Sequence, residues 1–239
     1  MRNFTFKGLF LAVVFIVLGS LSIQAADDGL ITRQVTIKLE KAGTLPNKIG
    51  STKKFQITNL KIIGEINGTD LRMIREMAGK DARGDDTDGM LSVLDLSDAK
   101  IVEGGDYDGY YSSSNDKIGD NAFFGCSGLT SIILPSGVTE IGYNAFSGCS
   151  GLTSLTLPSG VTEIGYFAFS GCSGLTSLTL PSGVTEIGYN AFSGCSGLTS
   201  IILPSGVTEI GGYAFFGCSG LTSLTLPTGV TKIGYDAFT

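Results

Sequence analysis

Five cysteines, Cys126, Cys149, Cys172, Cys195 and Cys218, recur at a fixed interval of 23 residues. A thiol in such a row could serve as a nucleophile, a metal ligand or half of a disulfide, and the first two roles require the thiolate. The chain contains no histidine. That removes Ser-His-Asp and Cys-His pairs, His-containing zinc sites and a histidine pH switch together. The expectation is therefore a non-enzymatic protein without catalytic, metal or cofactor sites. In an exported protein, cysteines one repeat apart would fall within the disulfide window of roughly 4.4–6.8 Å. Their count is odd, and each is flanked by apolar residues. This predicts a buried ladder of free thiols acting as small hydrophobes.

The acidic residues offer little more chemistry. Glu140, Glu163, Glu186 and Glu209 share one repeat position. In water each adjacent pair costs on the order of 1 kcal/mol, so a solvated stripe is tolerable without a ligand. Single carboxylates per repeat make a poor cation cage. Asp81, Asp85, Asp86 and Asp88 before Gly89 do not complete a calcium loop, because the spacing to a bidentate Glu is missing. Arg83-Gly84-Asp85 reads as the integrin-binding tripeptide, a short motif whose use depends on exposure in a loop.

Contact chemistry is better represented. Tyr143, Tyr166, Tyr189 and Tyr235 follow an Ile-Gly pair in successive copies, with Phe167 and Tyr213 at the next position. Tyrosine gives large contact area at low side-chain entropy cost, suited to a protein partner or to stacking on sugars. Rings one repeat apart are also expected to pack on one another. A second candidate lies on the strands, whose outward positions would be Ser131 and Ile133, Ser154 and Thr156, Ser177 and Thr179, Ser200 and Ile202, and Ser223 and Thr225. That face is small, neutral and poor in the aromatic and arginine types that anchor interfaces. A third is the glycine-rich loop 104–116, which carries Tyr107, Tyr110 and Tyr111.

These side chains are positioned by repetition. From Ile118 to Lys232 one 23-residue unit is written five times, and a partial sixth starts at Ile233. Such a unit cannot bury its own apolar face, so neighbours must stack into a continuous core and expose long regular surfaces. The fold class is an α/β repeat solenoid, a leucine-rich repeat array with short parallel strands and short helical turns. Within a copy, Leu152-x-x-Leu155-x-Leu157 predicts a short half-buried strand ended by Pro158. Ala145, Phe146 and Cys149 share one helical face, and Gly148 and Gly151 bracket a tight corner, which predicts a single helical or 3₁₀ turn. The pattern continues upstream, giving rungs that start at residues 57, 91, 129, 152, 175, 198 and 221. At about 4.8 Å per rung they make a rod on the order of 30 Å long. A helix over Asp70–Ala78 flanks the first strands, and Val35–Leu45 covers the first rung.

The N-terminus carries Arg2 and Lys7, an apolar run from Leu9 to Leu18, and small residues suited to cleavage after Ala25 or Ala26. This predicts an export signal over residues 1–25, an irregular cap and repeats over 26–117, and the regular array over 118–239. No later segment approaches the roughly 20 apolar residues of a membrane span. Loss of Arg2 and Lys7 takes the net charge from −6 to −8, which disfavours nucleic acid as a partner.

The copy Ile-Gly-Tyr-Asn-Ala-Phe-Ser-Gly-Cys-Ser-Gly-Leu-Thr-Ser-Leu-Thr-Leu-Pro-Ser-Gly-Val-Thr-Glu at 141–163 resembles the BspA-type, or Treponema-type, leucine-rich repeat proteins of bacterial and some protist surfaces. The segments 66–79 and 94–102 look like the N-terminal region of secreted members from gut Bacteroides-like bacteria. The resemblance implies a right-handed curved solenoid on the outside of a cell and a role in adhesion or host interaction, with no catalytic residue to carry over. A protein partner is the leading expectation and a glycan the alternative. The partial last copy adds the expectation of end-to-end association or of a longer parent chain.

Overall fold

The computed structural model describes residues 29–105 and 113–239. The expected signal peptide and Tyr107, Tyr110 and Tyr111 lie outside the described residues. The N-terminal part runs β1 (Val35–Leu39), α1 (Leu45–Lys48), β2 (Asn59–Ile66), α2 (Gly68–Met77) and β3 (Val93–Ile101). The array follows as pairs of very short strands: β4 (Lys117–Ile118), β5 (Ser131–Ile133), β6 (Glu140–Ile141), β7 (Ser154–Thr156), β8 (Glu163–Ile164), β9 (Ser177–Thr179), β10 (Glu186–Ile187), β11 (Ser200–Ile202), β12 (Glu209–Ile210) and β13 (Lys232–Ile233).

Every ladder between these strands is parallel and joins equivalent residues of neighbouring rungs. The longest sheet runs β1-β2-β3-β5-β7, with β9 and β11 paired beyond it. A second row of two-residue strands forms the sheets β4-β6-β8 and β10-β12-β13. Ser131 pairs with Ser154 and Glu140 with Glu163, each a shift of one repeat, so identical side chains stack in columns. A register shift between Lys61 and Ile63 marks where the longer N-terminal strands depart from that strict repeat.

The core is built of these columns. Phe123, Phe146, Phe169, Phe192 and Phe215 stack with centroids 5.3–5.4 Å apart and planes within 12° of parallel. Beside them run the buried Ile, Leu, Val, Ala and Cys columns, a continuous apolar core. The N-terminal cover is pinned by polar groups instead. Asn67 caps α2 by accepting from Thr69 N–H, and Asp70 reaches back to Asn67 N–H. The fully buried Asp70 carboxylate also accepts from Gly43 N–H at 2.6 Å and Leu45 N–H at 2.8 Å, tying α1 to α2. Arg75, equally buried, donates from Nη1 to the Asn121 carbonyl at 2.5 Å and lies over the Phe124 ring, joining α2 to the first regular copy.

Two details differ from the sequence reading. The segment from Gly142 to Cys149, expected as a single helical or 3₁₀ turn, is a succession of separate turns, each closed by a bond three residues back. Ser147 N–H and Cys149 N–H bond three residues back to Asn144 and Phe146, whereas Phe146 N–H and Gly148 N–H bond forward to Ala168 and Ser170 of the next rung. Left-handed residues at Asn144 (φ 54°) and Gly148 (φ 75°) reverse the peptide planes and turn every second N–H outward along the rod. A helix would have kept those bonds within the rung; here they stitch rungs together. In the copy starting at 221, Ser223–Thr225 joins no ladder, and Leu221 and Leu224 are only partly buried, so the apolar anchoring that holds the other strands is weaker there.

Candidate partner-binding surface

The residue three places after each repeat isoleucine is always left-handed: Asn121, Asn144, Phe167, Asn190, Tyr213 and Asp236 have φ between 51° and 58°. Asn and Asp visit this region readily, because their short side chains bond locally. Phe and Tyr do not, and a left-handed L-residue costs roughly 1–2 kcal/mol. Phe167 and Tyr213 therefore hold strained positions that the fold would fill more comfortably with Asn, as it does in three other rungs.

The strain places two rings into an aromatic line. Tyr143 meets Phe167 at 5.8 Å and 73°, Phe167 meets Tyr189 at 5.5 Å and 70°, Tyr189 meets Tyr213 at 5.7 Å and 84°, and Tyr213 meets Tyr235 at 4.7 Å and 76°. Each contact is edge-to-face and within the favourable range of roughly 4.5–7 Å. The rings pack on one another, as the spacing leads one to expect, yet the line stays open to solvent at its ends, with Tyr143 44 % and Tyr235 63 % exposed. A hydrogen bond with the Tyr189 hydroxyl, reinforced by Tyr213, pushes the Tyr235 phenol up to about 12, so Tyr235 is neutral at physiological pH.

Tyr166 stands apart from the line, although the sequence grouped it with the others. Its ring lies over Gly188 of the next rung, where a Cβ would come within 2.9 Å of Cδ1. It is 55 % exposed and makes no ring contact with the line among the described residues. Phe167 fills the place in the line that Tyr166 leaves.

On the strand face Ile133, Thr156, Thr179, Ile202 and Thr225 all point outward and are exposed. The neighbouring column is occupied internally, since Thr153, Thr176 and Thr199 each donate a hydroxyl to the carbonyl of the preceding rung. Ile133 and Ile202 are three rungs apart and form no joint apolar patch. A shallow groove of about 510 Å³ lies over the last strands, lined by Ile202, Ser223, Thr225 and Pro227 among others.

The acidic column is partly neutralised. Lys117 pairs with Glu140 and Lys232 with Glu209, and each carboxylate holds its lysine above the usual ammonium range. Glu163 and Glu186 between them are exposed. All five cysteines are free and buried. Cys149, Cys172, Cys195 and Cys218 donate their thiols to the carbonyls of Phe123, Phe146, Phe169 and Phe192 at 3.0–3.1 Å. Burial pushes Cys126 and Cys172 up to about 12 and Cys149 well above the usual thiol range, so these three stay protonated, whereas a hydrogen bond from Cys195 holds Cys218 below that range.

Arg83 and Asp85 are exposed on either side of Gly84. Sequence reasoning did not single out Asp70 or Arg75 as buried. The Asn67-x-x-Asp70 spacing of a capping box was a usable signal for the first, and nothing in the local pattern marks the second.

Comparison with known proteins places this geometry. Residues 116–239 match the BspA type leucine rich repeat region, in six copies. A leucine-rich repeat protein of T. pallidum shares the fold at TM-score 0.51 and 23 % identity, over 84 % of this chain and 87 % of that one. A leucine-rich repeat protein of Bacteroides ovatus is 29 % identical over 60 % of this chain, at TM-score 0.44. A leucine rich cell surface protein of Faecalibacterium prausnitzii is 35 % identical over 59 %, at TM-score 0.43. The chain spans 39 % and 43 % of the lengths of these last two. No curated protein sequence matches it. Among the described residues no helix is long and apolar enough to cross a membrane. A repeat motif that fills half the chain, in a fold of stacked parallel rungs, assigns the protein to its group: it belongs to the BspA-type leucine-rich repeat family.

Proposed function

We propose that this is an exported bacterial surface protein that binds another protein, in adhesion to host material or to other cells, through the aromatic line from Tyr143 to Tyr235. The observation that carries this reading is the left-handed conformation of Phe167 and Tyr213. Strain retained where a cheaper residue is used in sister rungs points to a use for the rings beyond holding the rod together. Tyrosine-rich, rigid and neutral, the line has the composition of a contact surface that loses little entropy on binding. Phe216, exposed and edge-to-face with Tyr213 at 5.5 Å, extends the same surface. Membership of the BspA-type family supports the location, and the leader expected from the sequence of residues 1–25 supports export.

A glycan is the second reading, since open tyrosine edges and faces also stack on sugars. The two are separated by binding of the chain from residue 26 onward to arrayed matrix proteins, cell-surface proteins and glycans, before and after enzymatic deglycosylation of the targets. Protein-selective binding that survives deglycosylation is the expected result. Binding that disappears with the sugars would replace the protein reading with the glycan one, and a folded chain that binds nothing on the array would contradict both.

A further inference from the structure

The turn at the start of the array offers a separate contact. Between α2 and β3 the chain forms a small closed loop in which Asp81 N–H donates to the Asp85 carbonyl at 2.9 Å and Gly84 N–H to the Asp81 carbonyl at 3.1 Å. The Asp81 carboxylate accepts from Arg83 N–H at 2.8 Å and from Asp85 N–H at 2.9 Å, so one side chain fixes the backbone on both sides of Gly84. Gly84 is left-handed at φ 88° and sits over Arg75 and Phe124, a conformation and a contact suited to glycine. The base of the loop is held by Thr87, which donates N–H to Gly79 and its hydroxyl to Glu76.

Three of the loop's other charges are engaged, while Asp88 is exposed nearer its base. Lys80 pairs with Asp86 at 2.6 Å, and Asp81 is occupied by backbone N–H groups. Arg83 and Asp85 remain exposed, and among the described residues neither side chain joins an ion pair, with the other or with anything else. The loop thus presents one cation and one anion across a single glycine on a fixed backbone, which lowers the ordering cost of binding.

We propose that Arg83-Gly84-Asp85 is a receptor-binding site, taken by a surface that offers a carboxylate to the guanidinium and a bound divalent cation to the Asp85 carboxylate. That is the chemistry of integrin-type receptors on host cells. A guanidinium forms paired charge-assisted hydrogen bonds with a carboxylate, and a single aspartate oxygen fills an open position on Mg²⁺, Mn²⁺ or Ca²⁺. The site rests on the reading that the protein meets host cells, and it uses a different surface from the aromatic line.

The test is binding of the chain from residue 26 onward to a purified integrin ectodomain that reads Arg-Gly-Asp, in Mn²⁺, beside Asp85→Glu and Arg83→Ala. Both variants should keep the wild-type unfolding temperature, because neither side chain holds the fold. Binding should fall at least about tenfold in each variant, the size of a lost charged contact. It should vanish with a chelator and be competed by a short linear Arg-Gly-Asp peptide. No binding by the wild type, or binding that Asp85→Glu leaves unchanged, overturns the inference. The same proteins are applied to the matrix array. Array binding without integrin binding removes this inference alone, and integrin binding without array binding removes the aromatic-line reading alone.

Discussion

Replacing Phe169 with alanine is expected to destabilise the array by about 3–5 kcal/mol, the cost of emptying a large buried aromatic site. Phe169 is fully buried and stacked between Phe146 and Phe192 at 5.4 Å on each side. Its removal opens a hole in the middle of a column whose members are held by their neighbours, and a repeat array has no other core to fall back on. The hole cannot close by sliding the rungs together, because the parallel ladders on two other sides fix their separation. Phe238 is a built-in comparison, stacked on Phe215 alone and 46 % exposed. Its alanine variant should lose less than half as much. Urea denaturation of the two variants reads the difference directly. Equal midpoints would mean that the ring column is not what joins the rungs.

The second large effect comes from adding a single methyl group. Gly151→Ala would place a Cβ 2.2 Å from the Ser127 carbonyl oxygen of the preceding rung, closer than real contacts allow. The obstructing atom is backbone, so the rungs themselves must move apart, and overpacking of this kind costs roughly 1–3 kcal/mol or more. Gly174 and Gly197 face the same carbonyl of the rung before, at 2.5 and 2.3 Å. Gly128 occupies the equivalent position in the first copy, where nothing lies within 4 Å. Gly128→Ala should therefore be tolerated with little change in melting temperature, while Gly151→Ala lowers it by several degrees. A matched loss in both would show that the glycine is needed for its own backbone freedom and not for the approach of the rung before it.

Much of this architecture was legible in the sequence because the repeat is strict. A 23-residue period places Leu155 inward between Ser154 and Thr156, and the strand forms over those three residues. The flanking helix was expected over Asp70–Ala78 and is found at Gly68–Met77, one face being apolar and Asn67 a good cap. The turn segment was misread because Ala145, Phe146 and Cys149 have helical spacing. That spacing reports which side chains face the core and says nothing about where Asn144 and Gly148 send the peptide N–H groups. The aromatic surface was legible as composition but not as geometry. Only the backbone shows that Phe167 and Tyr213 are left-handed, and that Phe167 displaces Tyr166 from the line. Arg75 was hidden because its reason for burial lies in the Asn121 carbonyl, 46 residues away.

The most direct test of the account is the affinity of a Phe167→Asn, Tyr213→Asn double variant for the partner found on the array, measured beside the wild type. Asparagine is the residue other rungs use at this left-handed position, so relief of roughly 1–2 kcal/mol of strain per site offsets part of the loss of two ring contacts at Phe167 and three at Tyr213, worth about 0.5–1.5 kcal/mol each. The variant should still fold, with a melting temperature lowered by several degrees at most, while the aromatic line is cut in two places. The account predicts at least a tenfold loss of affinity in this folded variant. Unchanged affinity would contradict it and move the contact to the strand face of Ile133, Thr156, Thr179, Ile202 and Thr225.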